Sequence, residues 1–413
     1  MPEEIAHPIL FIIDANTRYN HVMETKYIHQ REDWPNFRWD TIALADQLAT
    51  VRNRQGFFLG KIHSLGFGAR ESLILEVLTD DVQKTSEIEG DVLERTQVRS
   101  SVARRLGLDS AALAPADRRI EGVVDTLLDA TQHYDQALTK TRMFGWHAAL
   151  FPNGYSGLQK IIVGSWRDDA AGSMRVVSGA IGRERVHYEA PAASMLELYM
   201  DEFLKWFESP PQYDPVLKAA LAHLWFVTIH PFDDGNGRIG RAIADMALAR
   251  SEHSSQRFYS MSAQTQKERR EYYDTLERTQ KGDLDVTEWI IWFLTCLDRS
   301  IGGAAGVLHA VSKKTDFWDS VSNVAINERQ RKMLNRLLDG FDGKLTAKKW
   351  ALITKTSMAT ALRDINDLIG KGILTPNPGG GRSASYSLAV TLCPEAANHA
   401  ATPFSSQRLL CRS

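Results

Sequence analysis

The chain has 413 residues, which exceeds one average domain and leads us to expect two or three. Apolar residues make up 43% and charged residues 24%, so the chain can bury a sizeable core and has no fibrous or disordered bias. The formal net charge of −2 excludes a broad field that would recruit nucleic acid or anionic membrane. The three cysteines lack metal-ligand spacing, which argues against a disulfide scaffold or a zinc site.

The first residues are acidic, unlike the basic start of a signal peptide. Apolar runs such as residues 289–294 are far shorter than the roughly 18 residues that a membrane span needs. We therefore expect a soluble cytoplasmic protein that has no membrane partner.

Two short β-like runs open the chain, at residues 9–13 and 26–29. Helical periodicity then dominates residues 41–94, with breaks expected at Gly56, Gly60 and Gly66. Another helical segment follows Asp117. We predict an N-terminal helical extension over residues 1–110 and a second domain over residues 111–312.

The second domain contains a change of pattern. Glycine and β-branched residues concentrate over residues 153–191, and the runs 173–178 and 185–188 flank a turn with glycines at 179 and 182, which predicts a β-hairpin. From about residue 191 the pattern is helical again, and Asp214 followed by Pro215 is typical of a helix start.

The last 90 residues form a separate unit in the sequence pattern. Three short helices are predicted at 327–339, 346–353 and 357–369, and two strands flank the glycine turn at 379–381. Three helices followed by a β-wing predict a winged helix-turn-helix over residues 320–390, with a tail at 391–413.

The charge of this C-terminal unit leaves its partner open. Residues 327–388 carry 11 Lys/Arg against 5 Asp/Glu, which favours DNA binding. Asp364 and Asp367 on the presumed recognition helix oppose it, because they repel phosphates. Protein docking or formation of a homodimer is the other interpretation.

The chemistry concentrates in His230-Pro-Phe-Asp-Asp-Gly-Asn-Gly-Arg-Ile-Gly-Arg241, between helical segments 215–229 and about 237–250. The first N–H groups of a helix lack partners and carry the positive end of its dipole, and glycines at 235 and 237 let a phosphate reach them. Arg238 and Arg241 can bind phosphate oxygens. Asp234 suits Mg²⁺ that bridges phosphates, and His230 can accept a proton near pH 7.

Two other phosphate motifs are weighed against this interpretation. Residues 235–240 also match G-x-G-x-x-G, but that fingerprint requires a preceding strand, and a helix precedes it here. A G-x-x-x-x-G-K-[ST] motif does not occur, so a P-loop is excluded. The segment therefore favours displacement at a phosphorus atom, with His230 as the base.

The segment resembles the signature of the Fic (filamentation induced by cAMP) family, His-x-Phe-x-[Asp/Glu]-Gly-Asn-Gly-Arg-x-x-Arg, at every fixed position. The resemblance implies a mainly α fold, a Fic-type helical bundle with a β-hairpin flap, and protein adenylyltransferase activity with ATP and Mg²⁺. His230 would deprotonate a Tyr, Ser or Thr hydroxyl of a protein substrate, and Asp234 would hold Mg²⁺. The phosphates would be bound within a stretch that comprises Gly235, Asn236, Gly237, Arg238, Ile239, Gly240 and Arg241.

The same resemblance implies further site residues. Residues 85–90 resemble the family's inhibitory motif [Ser/Thr]-x-x-x-Glu-[Gly/Asn], so Glu89 would pair with Arg241 and block ATP; the alternative is an exposed acidic helix. The hairpin would be the flap, which pairs with an extended target segment. The nucleotide would also be contacted by residues of the flap and of a later helix: Val176, Val177, Ser178, Gly179, Tyr272, Tyr273 and Gln280. Many relatives carry Asn at the position of Gln280.

Three functions remain at this stage. The first is an AMP transferase restrained by Glu89. The second is an AMP-protein hydrolase in which Glu89 positions water, and the third is a transcriptional regulator that only senses a nucleotide. An intact His230 argues against the third, since sensing requires no base.

Overall fold

A computed structural model describes residues 10–13, 27–63, 65–108, 115–170, 172–179, 183–338, 341, 343–378 and 384–389. The chain divides into two compact units, Met1–Leu308 and His309–Ser413. The prediction of a mainly helical fold with a β-hairpin is confirmed. The predicted tail at 391–413 lies outside the described residues.

The first unit is built from helices around one large apolar core. Its helices are α1 (Thr41–His63), α2 (Phe67–Ile88), α3 (Arg95–Arg105), α4 (Arg118–Gln132), α5 (Lys140–Leu150), α6 (Leu196–Glu208), α7 (Pro215–Ile229), α8 (Asn236–Glu252), α9 (Met261–Lys267) and α10 (Arg269–Gln280). Helix α11 (Thr287–Ser320) begins in this unit, and its residues after Leu308 belong to the second. Side-chain caps set several of the starts: Asp117, Thr139 and Asp214 accept backbone N–H groups of α4, α5 and α7.

The centre of this unit is the helix pair α7 and α8, which the loop of residues 230–235 joins. Every residue of α7 after Pro215 is buried, so the helix is enclosed on all sides. A Cβ on Gly240 would lie 2.8 Å from a methyl carbon of Val227, so the glycine allows α8 to approach α7 closely. The motif loop is therefore held at both ends by closely packed helices.

Two local predictions about the N-terminal region are wrong. Helix α1 continues through Gly56 and Gly60, and the chain breaks only near Gly66. A lone glycine costs a helix only about 1 kcal/mol relative to alanine, which packing of the buried face of α1 outweighs. At the predicted strand 26–29 the described residues instead form a 3₁₀ turn, Ile28–Gln30, whose start is closed by the Tyr27 N–H donating to Gln30 Oε1 at 2.8 Å.

A three-stranded antiparallel sheet contains the predicted hairpin. Its order is β1 (Leu10–Ile13), β4 (Met174–Ser178) and β5 (Arg185–Glu189), so β4 has a strand on each side. Leu10 lies opposite Val177 in β4, and the ladder between β4 and β5 has a bulge at 176–177. The small pair β2 (Tyr155–Ser156) and β3 (Gln159–Lys160) precedes it. Predicted turn residues 180–182 lie outside the described residues.

The second unit has its own apolar core, which includes Met333, Trp350 and Ile365. Its elements are α12 (Glu328–Leu338), β6 (Leu345–Thr346), α13 (Ala347–Thr354), α14 (Met358–Gly370), β7 (Leu374–Pro376) and β8 (Ser385–Leu388). The strands form an antiparallel sheet in the order β6-β8-β7. The winged helix-turn-helix assignment for this unit stays a prediction.

Among the described residues, α11 is the one helix that is long and apolar enough to cross a membrane by length and composition. Half of its most apolar 18-residue stretch is buried inside the fold. Buried core helices meet the same criterion, so this finding is weak support for a membrane span.

Candidate active site

The motif loop leaves α7 through a left-handed residue. His230 ends the helix with φ 52° and ψ 57°, and its N–H donates to Phe226 O at 3.0 Å. The loop then closes on itself, because the Asn236 side chain accepts from Phe232 N at 3.0 Å and donates to Phe232 O at 2.7 Å. Asn236 was predicted to bind phosphate, but its fully buried amide holds the loop, and its backbone N–H is what remains for an anion.

His230 is buried in the neutral form of a base. Its Nδ1 lies 3.2 Å from the carbonyl oxygen of Val227, which only accepts, so Nδ1 carries the proton and Nε2 keeps the lone pair. Burial, with a contribution from Arg167, lowers the pKa of His230 to about 4. The ring lines a first cavity of about 100 Å³ together with Gly237, Val176 and Glu89.

Arg167 donates hydrogen bonds to the backbone around His230 and was not predicted from the sequence. It is 3% exposed and donates from Nε to His230 O at 2.9 Å and from Nη2 to Pro191 O at 2.6 Å. Its own N–H donates to Pro231 O at 3.0 Å. A buried arginine in an irregular glycine-rich segment has no periodic pattern, so the sequence carries no signal for it.

His147 supports the other end of the loop. Its ring stacks on Phe232 with centroids 4.2 Å apart, and its Nδ1 accepts the Gly164 N–H at 3.3 Å. The other nitrogen, Nε2, therefore carries the proton and donates to Asp234 O at 3.1 Å. Burial lowers the pKa of His147 to about 4, which keeps the ring in this neutral form.

Glu89 reaches the start of α8, as the inhibitory interpretation requires. Its Oε1 accepts from Arg241 Nη2 at 2.7 Å, and Thr85 accepts from Arg241 through Oγ1 at 2.8 Å and through its carbonyl oxygen at 2.9 Å. A Cβ on Gly237 would lie only 2.1 Å from Glu89 Oε1. The carboxylate therefore occupies space directly over the backbone of the first helical turn, which glycine alone leaves clear.

Two arginine donors in the site have no acceptor among the described residues. They are the buried Nη1 of Arg241 and the buried Nε of Arg238. The Arg238 guanidinium lies over the Phe151 ring at 4.9 Å and 3.9 Å from Asp234 Oδ2. Buried donors of this kind are costly unless an acceptor arrives, so the arrangement fits an anionic ligand.

A second cavity, of about 630 Å³, lies on the other side of Glu89. Asp233, Asp234, Arg238 and Phe151 line it, and Glu89 lines both cavities. Gly235, with φ 82°, turns the chain here, and a Cβ on it would lie 2.8 Å from the Phe151 ring. Of the predicted phosphate residues, Gly237 thus lines the first cavity and Arg238 the second, and Glu89 lines both.

The predicted flap and helix residues lie at the first cavity in part. Val176, Tyr272, Tyr273 and Gln280 line it, whereas Val177 is buried and does not. Tyr272 shares a 2.9 Å hydrogen bond with His223. Of the remaining predicted contacts, Ile239 is fully buried in the core, Gly240 faces α7, Ser178 bonds to His187, and Gly179 has a positive φ of 109°.

Asp234 is the one predicted metal ligand. No group of three or more His, Cys, Asp or Glu side chains among the described residues could hold a metal by itself. One carboxylate plus phosphate oxygens and water is a usual Mg²⁺ environment, so the acceptor set fits if a nucleotide supplies the rest. Here Asp234 Oδ2 bonds to the Ser156 hydroxyl, and Oδ1 accepts the Gly235 N–H at 2.5 Å.

Two family models match the chain. Residues 137–248 match the Fic/DOC family, and residues 27–108 match a domain of unknown function, DUF4172. The first match contains the motif loop, and the second contains Glu89.

Curated relatives carry the name "Protein adenylyltransferase Fic". The protein from Aedes aegypti is 26% identical over 220 residues, which are 52% of this chain and 39% of the relative. That from Nematostella vectensis is 34% identical over 113 residues, which are 27% of this chain and 25% of the relative. The chain thus spans less than half the length of the curated relatives it matches.

Two solved structures align with this chain at TM-scores below 0.5. A Fic family protein from Desulfovibrio desulfuricans G20 aligns with a TM-score of 0.49 and 19% identity, covering 84% of this chain and 96% of that one. Fic-1 (residues 134–508) from C. elegans aligns with a TM-score of 0.46 and 20% identity, covering 65% of this chain and 74% of that one.

Proposed function

We propose, from the Fic/DOC domain that residues 137–248 form, that the protein transfers AMP from ATP to a Ser, Thr or Tyr hydroxyl of another protein. The observation that carries the proposal is the neutral His230 beside the Glu89–Arg241 pair at the start of α8. The base, the proposed anion site and the carboxylate that would block this site therefore lie together. The curated relatives named protein adenylyltransferase support the same activity.

The transfer step requires two things of the protein, namely a base and groups that bind the phosphates. The target hydroxyl oxygen attacks the α-phosphorus, the new oxygen–phosphorus bond forms, and the bond to the β-phosphate oxygen breaks, so that pyrophosphate leaves. The hydroxyl proton moves to His230 Nε2, whose lone pair is held ready by the bond from Nδ1 to Val227 O. Arg238, Arg241 and the first N–H groups of α8 hold the phosphates and stabilise the charge that develops.

Asp234 would hold Mg²⁺ beside Arg238. The ion would neutralise charge on the departing pyrophosphate. Asp234 lies at the edge of the second cavity, next to the Arg238 donor that has no acceptor among the described residues. We therefore assign the outer phosphates and the ion to the second cavity.

Glu89 restrains the enzyme by occupying the place of the phosphates. The first cavity, at about 100 Å³, is smaller than the about 300–1,000 Å³ of typical ligand pockets. Since Glu89 lines both cavities, its departure joins them. The Arg241–Glu89 pair is nearly buried, and breaking such a pair without a replacement costs about 3–5 kcal/mol.

The proposal is tested with α-labelled ATP and Mg²⁺ in a lysate of acceptor proteins. Glu89→Gly is expected to raise label on other proteins at least tenfold over the wild type, and Glu89→Gly with His230→Ala is expected to abolish it. Glu87→Gly is the matched control, because Glu87 sits on the same helix end but pairs with Lys84. Absence of label on other proteins with both wild type and Glu89→Gly would refute the transferase.

Hydrolysis of AMP-proteins is the second candidate. Glu89 and His230 line the same cavity, so the carboxylate can hold a water molecule for attack on an AMP ester. Protein that Glu89→Gly has labelled is the substrate for this test. If wild type releases the label and Glu89→Ala does not, the same site also works in reverse.

For the C-terminal unit we propose a protein-docking role ahead of DNA binding. The acidic residues of α14 do not oppose phosphate as expected, because Asp364 is buried and paired with Arg329, and Asp367 pairs with Lys371. Three large apolar side chains of α13 and α14 are exposed, beside polar ones such as Arg363: Leu352, Met358 and Leu362. Exposed apolar clusters are typical of protein contacts. Retention of the protein on DNA cellulose at 150 mM salt would contradict this assignment.

A further inference from the structure

A hydroxyl–imidazole–carboxylate relay crosses the hairpin beside the first cavity. His187 of β5 lies between Ser178 of β4 and Glu277 of α10. Ser178 Oγ is 2.5 Å from His187 Nε2, and Glu277 Oε2 is 2.6 Å from His187 Nδ1. His187 and Glu277 line the same cavity as His230 and Gly237. The transfer step described above uses none of these three side chains.

The charge of the Glu277 carboxylate determines which nitrogen of His187 carries the proton. Burial raises the pKa of Glu277, but hydrogen bonds from Lys281, His187 and Arg185 outweigh it and bring the pKa to about 2. The ionised carboxylate can only accept, so Nδ1 of His187 carries a proton. In the neutral ring Nε2 is then an acceptor, and the Ser178 hydroxyl donates to it.

These bonds have the order found in serine nucleophiles. A carboxylate orients Nδ1–H, and Nε2 faces a hydroxyl at hydrogen-bond distance. The exposed pair of His133 and Asp129 shows the difference: its 3.0 Å bond also uses Nδ1, but it lies away from the cavity that contains His230. The relay differs because its imidazole and carboxylate, His187 and Glu277, line the cavity that contains His230 and the Gly237 backbone.

We propose that Ser178 is a second nucleophile of this protein, activated by His187 and Glu277, which attacks tetrahedral phosphorus electrophiles and becomes a site of self-modification. With ATP as the electrophile, this rests on the proposed function. Ser178 Oγ then bonds to the α-phosphorus, its proton passes to His187 Nε2, and the bond to the β-phosphate oxygen breaks to release pyrophosphate. The product is an AMP ester on the flap.

The first experiment tests the nucleophile without ATP. Full-length wild-type protein is treated with a fluorophosphonate probe, which loses fluoride when a serine oxygen attacks its phosphorus, and the adduct is located by peptide mass spectrometry. Ser178 is expected to be the main adduct in native protein. His187→Gln and Glu277→Gln are expected to lower its rate at least tenfold, whereas His133→Gln is expected to leave it within twofold.

A relay that merely ties the hairpin to α10 would give another pattern. Ser178 would then react no faster in native than in urea-unfolded protein, or His187→Gln would leave its rate within twofold, and either result overturns the proposal. Thermal melting of each variant shows whether it is folded. If Glu277→Gln does not fold, the comparison of His187→Gln with His133→Gln still decides.

The second experiment separates this proposal from the transferase. Glu89→Gly protein is incubated with ATP and Mg²⁺, and the peptide that contains Ser178 is examined for added AMP. AMP on other proteins but not on Ser178 would overturn the self-modification and leave the transferase intact. A fluorophosphonate adduct on Ser178 without any AMP transfer would refute the transferase and retain the nucleophile.

Discussion

At the scale of single residues, the site depends on which nitrogen of each histidine carries the proton. Carbonyl and carboxylate acceptors place it on Nδ1 in His230 and His187, and a backbone donor places it on Nε2 in His147. The position of His230 was predicted from the sequence, since it opens a twelve-residue motif. The residues that hold the motif loop were not, because Arg167 lies 63 residues before His230 and His147 lies 87 residues before Asp234, the residues they contact.

The pH dependence of transfer follows from His230. Burial lowers its pKa to about 4, and the nearby Glu89 charge opposes that shift, so removing Glu89 lowers the pKa further. A base must be unprotonated to act. The transfer rate of Glu89→Gly, measured by single turnover with a stable acceptor, is therefore expected to be flat from pH 8 to about 5 and to fall only at about pH 4 and below. A midpoint near 6.5 would contradict the burial argument.

Thr85 contributes to the restraint through a single hydroxyl. Thr85→Val removes the acceptor of Arg241 Nε while keeping the side-chain shape. Leaving a buried donor unsatisfied costs about 1–3 kcal/mol, which weakens the inhibited state. We expect label transfer to rise about 5- to 100-fold, less than for Glu89→Gly. Thr79→Val, which changes a threonine that bonds only within α2, is the control and should not activate.

At the scale of elements, α7 and α8 could be predicted closely because their signals are local. The Asp214–Pro215 pair marks the start of α7, and the glycines after His230 mark the start of α8. The bond between Glu89 and Arg241 joins residues 152 apart and was inferred only through the inhibitory motif. The strand order β1-β4-β5 could not be inferred, because no sequence pattern states which edge an isolated apolar run will join.

The start of α7 anchors the base, so its cap should matter for stability. Asp214 Oδ1 accepts the Val216 N–H at 2.8 Å, and the carboxylate also takes two bonds from Arg52. Asp214→Ala is expected to lower the free energy of unfolding by about 1–2 kcal/mol in urea titrations. Asp214→Asn, which keeps the cap, should lose less. Equal losses would assign the effect to the pairing with Arg52.

The strand β1 occupies one side of β4, where an extended target segment was expected to pair. A target strand must displace β1 or use β5 instead. In an edge strand, consecutive N–H groups point to opposite sides. Only one of the Phe11 and Ile12 N–H groups therefore points at β4. In the Glu89→Gly background, proline at that position (Phe11→Pro or Ile12→Pro) should remove a bond to β4 and raise label on other proteins. Neither variant having an effect would show that β1 does not compete with targets.

At the scale of the whole molecule, each of the two units has its own core, and all the site residues belong to the first. A Glu89→Gly chain that ends at Leu308, the last residue of the first unit, is expected to keep its rate of self-labelling within about twofold. The same experiment measures whether particular acceptor proteins lose label. A general loss of activity in a folded truncated chain would give the second unit a role in the chemistry.

In the proposed inhibition, the lack of a side chain at Gly237 determines the ATP concentration at which the protein becomes active. A Cβ on Gly237 would lie 2.1 Å from Glu89 Oε1, so in the proposed mechanism the carboxylate and a phosphate would compete for the same space, and Glu89 would act as a tethered competitor of ATP. Loss of Glu89 should then appear chiefly as a lower KM for ATP, with a smaller change in kcat. Because the tethered concentration never varies, the enzyme would respond to the cellular supply of nucleotide, silent when ATP is scarce and active when it is plentiful.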